Sequence, residues 1–149
     1  MLLFFISIGM IALTVGVHTL AASFWLRYIG FRVKHYHRKT KHPLVLIPIL
    51  STSIILIVLH VFEAFIWACL YWQLPAQAGL KSFHEAFYFS VVTFTTVGYG
   101  DITLNSYWQV LAGIEGMVGI VVFGLTTAIL FGVVQKFWRV VYTVPEFGE

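Results

Sequence analysis

Charge and cysteine are both scarce in this sequence, and each scarcity excludes a class of protein. Only 10% of the 149 residues are charged and 60% are hydrophobic, and the mean hydropathy is +0.91. A soluble domain of this size needs a larger charged surface than this composition provides, so the sequence predicts a membrane protein. The single cysteine, Cys69, excludes an intrachain disulfide and a cysteine-rich metal site.

Regularly spaced cationic residues are also missing from the apolar stretches. No apolar run carries Arg or Lys at every third position, so we expect no voltage sensor. The polar segments are one short loop and two short ends, so we expect no separate soluble domain that binds a nucleotide or calcium. We likewise expect no enzymatic activity, no organic cofactor and no nucleic-acid partner.

Three apolar runs are long enough to cross a bilayer, which takes about 20 apolar residues. They predict an N-terminal helix over residues 1–26, a second helix over 44–72 and a third over 107–135. Residues 27–43 form a predicted basic loop, and residues 136–149 a short tail. A cleaved signal peptide is the alternative for the first run. That run lacks a basic start and exceeds the apolar core of a signal peptide, so we expect a retained helix.

Positive charge is concentrated on one side of these predicted spans. Lys136 and Arg139 follow the third span, and the loop after the first carries Arg27, Arg32, Lys34, Arg38, Lys39 and Lys41. Short cationic loops stay in the cytoplasm, so we expect the N-terminus outside and the C-terminus inside. Anionic lipid head groups are possible partners of the loop. Its histidines leave pH sensing, metal binding or a purely topogenic role open: His35, His37 and His42.

A short apolar segment lies between the second and third spans. It predicts a helix over residues 83–95, with Ser82 and Glu85 at capping-box spacing at its start. This helix is too short to cross a bilayer and too apolar to lie in water. We therefore expect a re-entrant segment that enters the membrane from outside and returns.

The segment after this helix has the composition of an ion-binding strand. It consists of Thr96, Val97, Gly98, Tyr99 and Gly100, followed by Asp101. Because glycine adopts positive φ at little cost, Gly98 and Gly100 allow successive carbonyls to face one side of an extended strand. Four such strands around an axis would form rings of oxygens that replace the water shell of a cation. A ring of Asp101 carboxylates would concentrate cations at the outer mouth.

This motif resembles the selectivity filter of the potassium-channel pore family at every position. The resemblance covers about residues 44–136 and is closest to small prokaryotic members, here with an extra N-terminal transmembrane helix. It implies a pore domain over 44–135, with outer helix, pore helix, filter 96–100 and inner helix in that order. It also implies an all-α homotetramer in the prokaryotic cytoplasmic membrane that conducts K⁺ passively. A non-conducting pore-like subunit that regulates or assembles another membrane protein is the alternative.

The resemblance also implies the ligands of the permeant ion. K⁺ would be bound by the backbone carbonyls of residues 96–99 and by the Thr96 hydroxyl, and we expect no other metal. On the inner helix, Gly119 aligns with the family's hinge glycine, and close helix packing is the other interpretation of this residue. Thr127 would face the cavity below the filter, and Phe131 would form a hydrophobic gate.

Ionisable residues inside the predicted spans form a further hypothesis. His60, Glu63 and Glu115 are costly to place in a bilayer, which by default indicates a function. Their depths in the spans place them beside the pore helix. They are either a polar brace that supports the filter or unrelated contacts. On the pore helix, Tyr88 would reach Asp101 and support the filter from outside.

Overall fold

Four α-helices build the fold in the computed structural model, which describes residues 1–37, 46–75 and 78–142. Helix α1 is Leu2–His37, α2 is Leu46–Trp72, α3 is Phe83–Phe94 and α4 is Gln109–Tyr142, and a short 3-10 helix, Ser106–Trp108, precedes α4. Helices α1, α2 and α4 are long and apolar enough to cross a membrane. No strand occurs among the described residues. The predicted all-α membrane fold is confirmed.

Two of the spanning helices extend beyond their predicted ends. Helix α1 continues to His37, so the prediction of a loop from residue 27 is wrong. Helix α4 continues to Tyr142, past the predicted end at residue 135. The apolar run shows where the bilayer ends, but the Arg and Lys residues that follow are good helix formers in water. Residues 38–45 and 143–149, the rest of the predicted loop and tail, lie outside the described residues.

Helix α1 packs against α2 and α4 through a stripe of mostly small and polar residues. Buried positions recur every three or four residues along one face: Ser7, Met10, Thr14, His18 and Ala22. Other faces expose large apolar side chains such as Phe4 and Phe24, as expected where lipid is the solvent. Two indole N–H groups donate across to the facing helix, Trp67 to Thr14 and Trp25 to Thr52, both at 3.0 Å. Hydrogen bonds as well as packing therefore hold α1 to α2.

Helix α3 is held between α2 and α4. Its N-terminus is capped by Ser82, whose hydroxyl oxygen accepts the backbone N–H of Glu85 at 3.1 Å. At its C-terminal end, the carbonyl of Phe94 lies against Gly119, ten residues into α4. At 1.5 Å per residue that is about 15 Å from the start of α4. Helix α3 thus ends about a third of the way along the spanning segment Gln109–Lys136, as expected of a helix that enters the membrane and returns. Its buried residues are Ala86, Phe89, Ser90 and Phe94.

Candidate functional site

The backbone of the segment after α3 alternates in the sign of φ. Thr96, Gly98 and Gly100 have φ of +60°, +54° and +77°, and the residues between them do not have positive φ. Glycine adopts this conformation readily, but for a β-branched threonine it is a real outlier. Strain of this kind is of order 1–3 kcal/mol and is found mainly where the surrounding structure imposes it, often at functional sites.

Hydrogen bonds to the last turn of α3 impose this conformation. The carbonyl of Val92 accepts the backbone N–H of Val97 at 3.0 Å and of Gly98 at 3.3 Å. The N–H of Thr96 donates to the carbonyl of Thr93 at 2.9 Å. The chain therefore reverses direction over the end of α3, and the reversal occurs at Thr96, the residue with positive φ. The partial negative charge of the α3 C-terminus lies at the same place, where it would favour a cation.

A side-chain hydrogen bond ties the far end of the segment to α3. The Tyr88 hydroxyl donates to Asp101 Oδ2 at 2.8 Å, which is the contact expected from the sequence. This bond raises the pKa of the Tyr88 phenol, because loss of its proton would place a second negative charge beside the carboxylate. Both residues line a cleft of about 180 Å³ between α3 and the segment. Tyr88 thereby fixes the position of Asp101.

Large apolar side chains on and near the segment are exposed in the single chain. Val97 is 51% exposed and Tyr99 is 72% exposed. An apolar surface of this kind indicates contact with another chain or with lipid. Further exposed apolar residues follow along α4: Met117, Ile120, Val121, Leu125 and Phe131.

A buried hydrogen-bond network joins α3 to α2 and α4 around Glu115. The Tyr71 hydroxyl donates to Glu115 Oε2 at 2.6 Å. Ser90 Oγ lies 2.5 Å from Glu115 Oε1 and 2.7 Å from the carbonyl oxygen of Ala64. A hydroxyl has one hydrogen, and a carbonyl cannot donate, so that hydrogen goes to Ala64. The contact between Ser90 and Glu115 then requires a proton on the carboxyl group. Every contact is satisfied when Glu115 is neutral.

This hydrogen count predicts opposite outcomes for two variants of Glu115. Glu115→Gln is expected to keep the stability of the protein, because its amide can donate to Ser90 and accept from Tyr71. Glu115→Ala is expected to lower the free energy of unfolding by about 2–5 kcal/mol, since it opens a cavity and leaves the buried Tyr71 hydroxyl unpaired. Unfolding of the purified protein in mild detergent measures both. Equal destabilisation by Gln and Ala would contradict a neutral Glu115.

A second buried network lies between α1, α2 and α4 around Glu63. His18 Nδ1 is 3.0 Å from Glu63 Oε1, and His60 Nδ1 is 3.1 Å from Glu63 Oε2. The two imidazole rings stack with centroids 5.5 Å apart. Thr126 Oγ1 lies 2.9 Å from His60 Nε2 and 3.4 Å from His18 Nε2. Glu63 and His18 are fully buried, and His60 is nearly so.

The structure places the buried residues that were predicted to support the filter in two separate hydrogen-bond networks. Glu115 contacts α3, whereas Glu63 bonds to histidines of α1 and α2, and it makes no hydrogen bond to α3 among the described residues. Each carboxylate has donors of its own, so the two do not share a network. His18 is an ionisable residue inside a predicted span, and this position alone could have marked it as a candidate functional residue. Four residues that sequence reasoning missed complete the networks: Tyr71, Ser90, His18 and Thr126.

The predicted gating residues all lie on α4. A Cβ added at Gly119 would overlap the carbonyl oxygen of Phe94, which favours close packing as the reason for this glycine. Thr127 is exposed, and its hydroxyl donates to the Phe123 carbonyl of its own helix at 2.9 Å. Phe131 is 63% exposed. Their roles in a cavity and a gate stay predictions.

Comparison with known proteins identifies the family of this chain. The family described as "Ion channel" matches residues 53–136, more than half of the chain. A similar protein is the hyperpolarization-activated voltage-gated potassium channel of Methanocaldococcus jannaschii, 46% identical over 41 residues. The match covers 26% of this chain and 20% of that protein, so the chain spans about a fifth of its relative. No solved structure matches the chain. The chain belongs to the ion channel family, and the predicted potassium channel pore domain agrees with both matches.

Proposed function

We propose that four copies of this chain surround a central pore that conducts K⁺ selectively and passively. The observation that carries this proposal is the segment 96–100, where a potassium filter sequence coincides with positive φ at Thr96, Gly98 and Gly100. This alternation lets successive carbonyls face one side, so that four chains would form stacked oxygen rings. The relative from Methanocaldococcus jannaschii is named as a potassium channel, which supports the same ion.

The exposed side chains of the filter support an assembly of several chains. One strand cannot surround an ion, so the ring requires neighbouring copies. Val97 and Tyr99, exposed in the single chain, would then be covered by adjoining subunits and hold the ring at a fixed diameter. Asp101, held by Tyr88, would form the outer ring that attracts cations.

The setting in the membrane follows from the charge distribution. The N-terminus would lie outside and the C-terminus inside the cytoplasmic membrane of a prokaryote. Arg27 and Arg32, near the end of α1, belong to the basic segment that would contact anionic lipid head groups. Passive conduction needs no covalent chemistry and no organic cofactor, so the proposal includes neither.

Ion flux in proteoliposomes tests the proposal. Vesicles loaded with K⁺ and holding the purified chain are diluted into K⁺ or Na⁺ solutions, with and without external Ba²⁺. We expect flux that is selective for K⁺ and blocked by Ba²⁺, from a protein that elutes as a tetramer. Equal flux of K⁺ and Na⁺ would contradict the proposed selectivity.

Phe131→Ala is expected to raise K⁺ flux several-fold, because it removes a hydrophobic constriction that excludes water from the pore. Phe4→Ala is a matched control, because Phe4 on α1 is exposed to the same degree, 64% against 63%. The same flux assay measures both variants. Absence of flux from a verified tetramer and from its Phe131→Ala variant would favour the non-conducting regulatory subunit instead.

A further inference from the structure

The buried cluster of His18, His60 and Glu63 has no part in the proposed conduction path. Each of these residues lies near the middle of its spanning segment, which is Leu2–Arg32 for His18 and Leu46–Trp72 for the other two. Thr126, which contacts both histidines, lies in the third span, Gln109–Lys136. Ionisable groups at this depth are costly, so the cluster calls for a specific explanation.

Counting hydrogen atoms shows what the cluster can bind. When both imidazoles are neutral and protonated on Nδ1, each donates to one oxygen of Glu63, and both Nε2 atoms are acceptors. Thr126 has one hydroxyl hydrogen and so can donate to only one of them. The carboxylate leaves the group with a net charge of −1. A metal ion between the rings and Glu63 needs the other neutral tautomer of both rings, with hydrogen on Nε2, which frees both Nδ1 lone pairs and leaves the net charge at −1.

We propose that His18, His60 and Glu63 bind one divalent transition metal ion of the zinc class. Their ligand atoms lie within 4.8 Å of one another. His18 Nδ1 lies 3.0 Å from Glu63 Oε1 and His60 Nδ1 lies 3.1 Å from Glu63 Oε2. Both separations are close to the edge of about 3.3 Å in a tetrahedron with zinc bonds of 2.0–2.1 Å, so Glu63 would bind the ion through both of its oxygens. Imidazole nitrogen and carboxylate oxygen are both ligands that zinc takes in proteins.

The position of Thr126 is compatible with a metal ion on the Nδ1 atoms. A metal held on both Nδ1 atoms replaces their protons, so each neutral ring carries its hydrogen on Nε2. Both rings then donate to Thr126 Oγ1, whose two lone pairs can accept them. Metal-bound histidines usually donate their second ring N–H in this way, which fixes the orientation of the ring.

Such a site would attach α1 to the rest of the chain. His18 comes from α1, while His60 and Glu63 come from α2, and Thr126 from α4 orients both rings. The N-terminal helix would thus be held by a metal ion in addition to its two indole hydrogen bonds. This inference does not depend on conduction, and its test does not use ion flux.

The metal content of the purified full chain tests the proposal. Untagged protein is prepared without chelator from zinc-supplemented cells, dialysed, and its zinc is measured by mass spectrometry. We expect about one zinc ion per wild-type chain and at least about tenfold less in His18→Gln and in His60→Gln. His84→Gln, which changes an exposed histidine outside the cluster, should keep its zinc.

Two further measurements on the wild-type protein test the proposal even if a variant fails to fold. Cobalt-grown wild-type protein should show the visible absorption of a tetrahedral site, and a strong chelator should lower its melting temperature by several degrees. Wild-type protein that holds neither metal, and whose melting temperature depends instead on pH between about 5 and 8, would show that the cluster binds a proton. That result overturns the proposal, as does zinc that remains in a folded His18→Gln, His60→Gln double variant.

Discussion

Gly119→Ala is expected to lower the free energy of unfolding by about 2 kcal/mol, whereas Gly124→Ala is not. A Cβ at Gly119 would overlap the carbonyl oxygen of Phe94, while one at Gly124 has no atom within 4 Å. Overpacking costs about 1–3 kcal/mol, and the upper end applies because a backbone carbonyl cannot rotate away as a side chain can. Better helix propensity offsets about 1 kcal/mol of that cost.

The two interpretations of Gly119 differ in the sign of this effect. If the glycine serves only as a hinge, alanine stiffens α4 and stabilises the protein by about 1 kcal/mol. If it serves close packing, alanine displaces the end of α3, and the segment 96–100 that follows α3 moves with it. Unfolding in detergent distinguishes the two, with Gly124→Ala as the control. A Gly119→Ala protein more stable than the wild type would contradict the packing explanation.

The order of the helices could be predicted from the sequence, but the ends of two of them could not. The thickness of the bilayer sets the length of an apolar run, so three spans and a shorter fourth helix are visible in the pattern. Nothing in hydropathy records that a helix continues into water. The continuations of α1 to His37 and of α4 to Tyr142 therefore needed the structure.

The positive φ of two residues in the segment 96–100 could be predicted from the sequence, and the polar networks only in part. Glycine adopts positive φ readily, so Gly98 and Gly100 indicate the conformation that the structure has at both positions. Threonine has no preference for positive φ, so the conformation of Thr96 follows only from hydrogen bonds to α3. The networks join distant positions: His18 is 45 residues from Glu63. A single sequence shows that an ionisable residue is inside a span, but not which helix supplies its partner.

Gly98→Ala is expected to abolish K⁺ flux while the helices stay folded. Gly98 has φ of +54°, and an added Cβ has no atom of the chain within 4 Å, so the effect arises from the backbone. Alanine in this conformation costs about 1–2 kcal/mol. In the proposed fourfold pore the four copies together cost about 4–8 kcal/mol, which disfavours the conducting arrangement of the filter. At about 1.4 kcal/mol per tenfold, K⁺ flux should fall at least a hundredfold.

Gly124→Ala is the matched control for this experiment as well. It adds the same methyl group to a glycine with equally free surroundings, but within a helix, where alanine is favoured. Its K⁺ flux should equal that of the wild type, and circular dichroism and gel filtration should show both variants folded and assembled. Undiminished selective flux from Gly98→Ala would mean that this backbone does not coordinate the permeant ion. Since the two variants differ only in where the methyl group is added, loss of flux in Gly98→Ala alone identifies the left-handed conformation of Gly98 as a requirement for conduction.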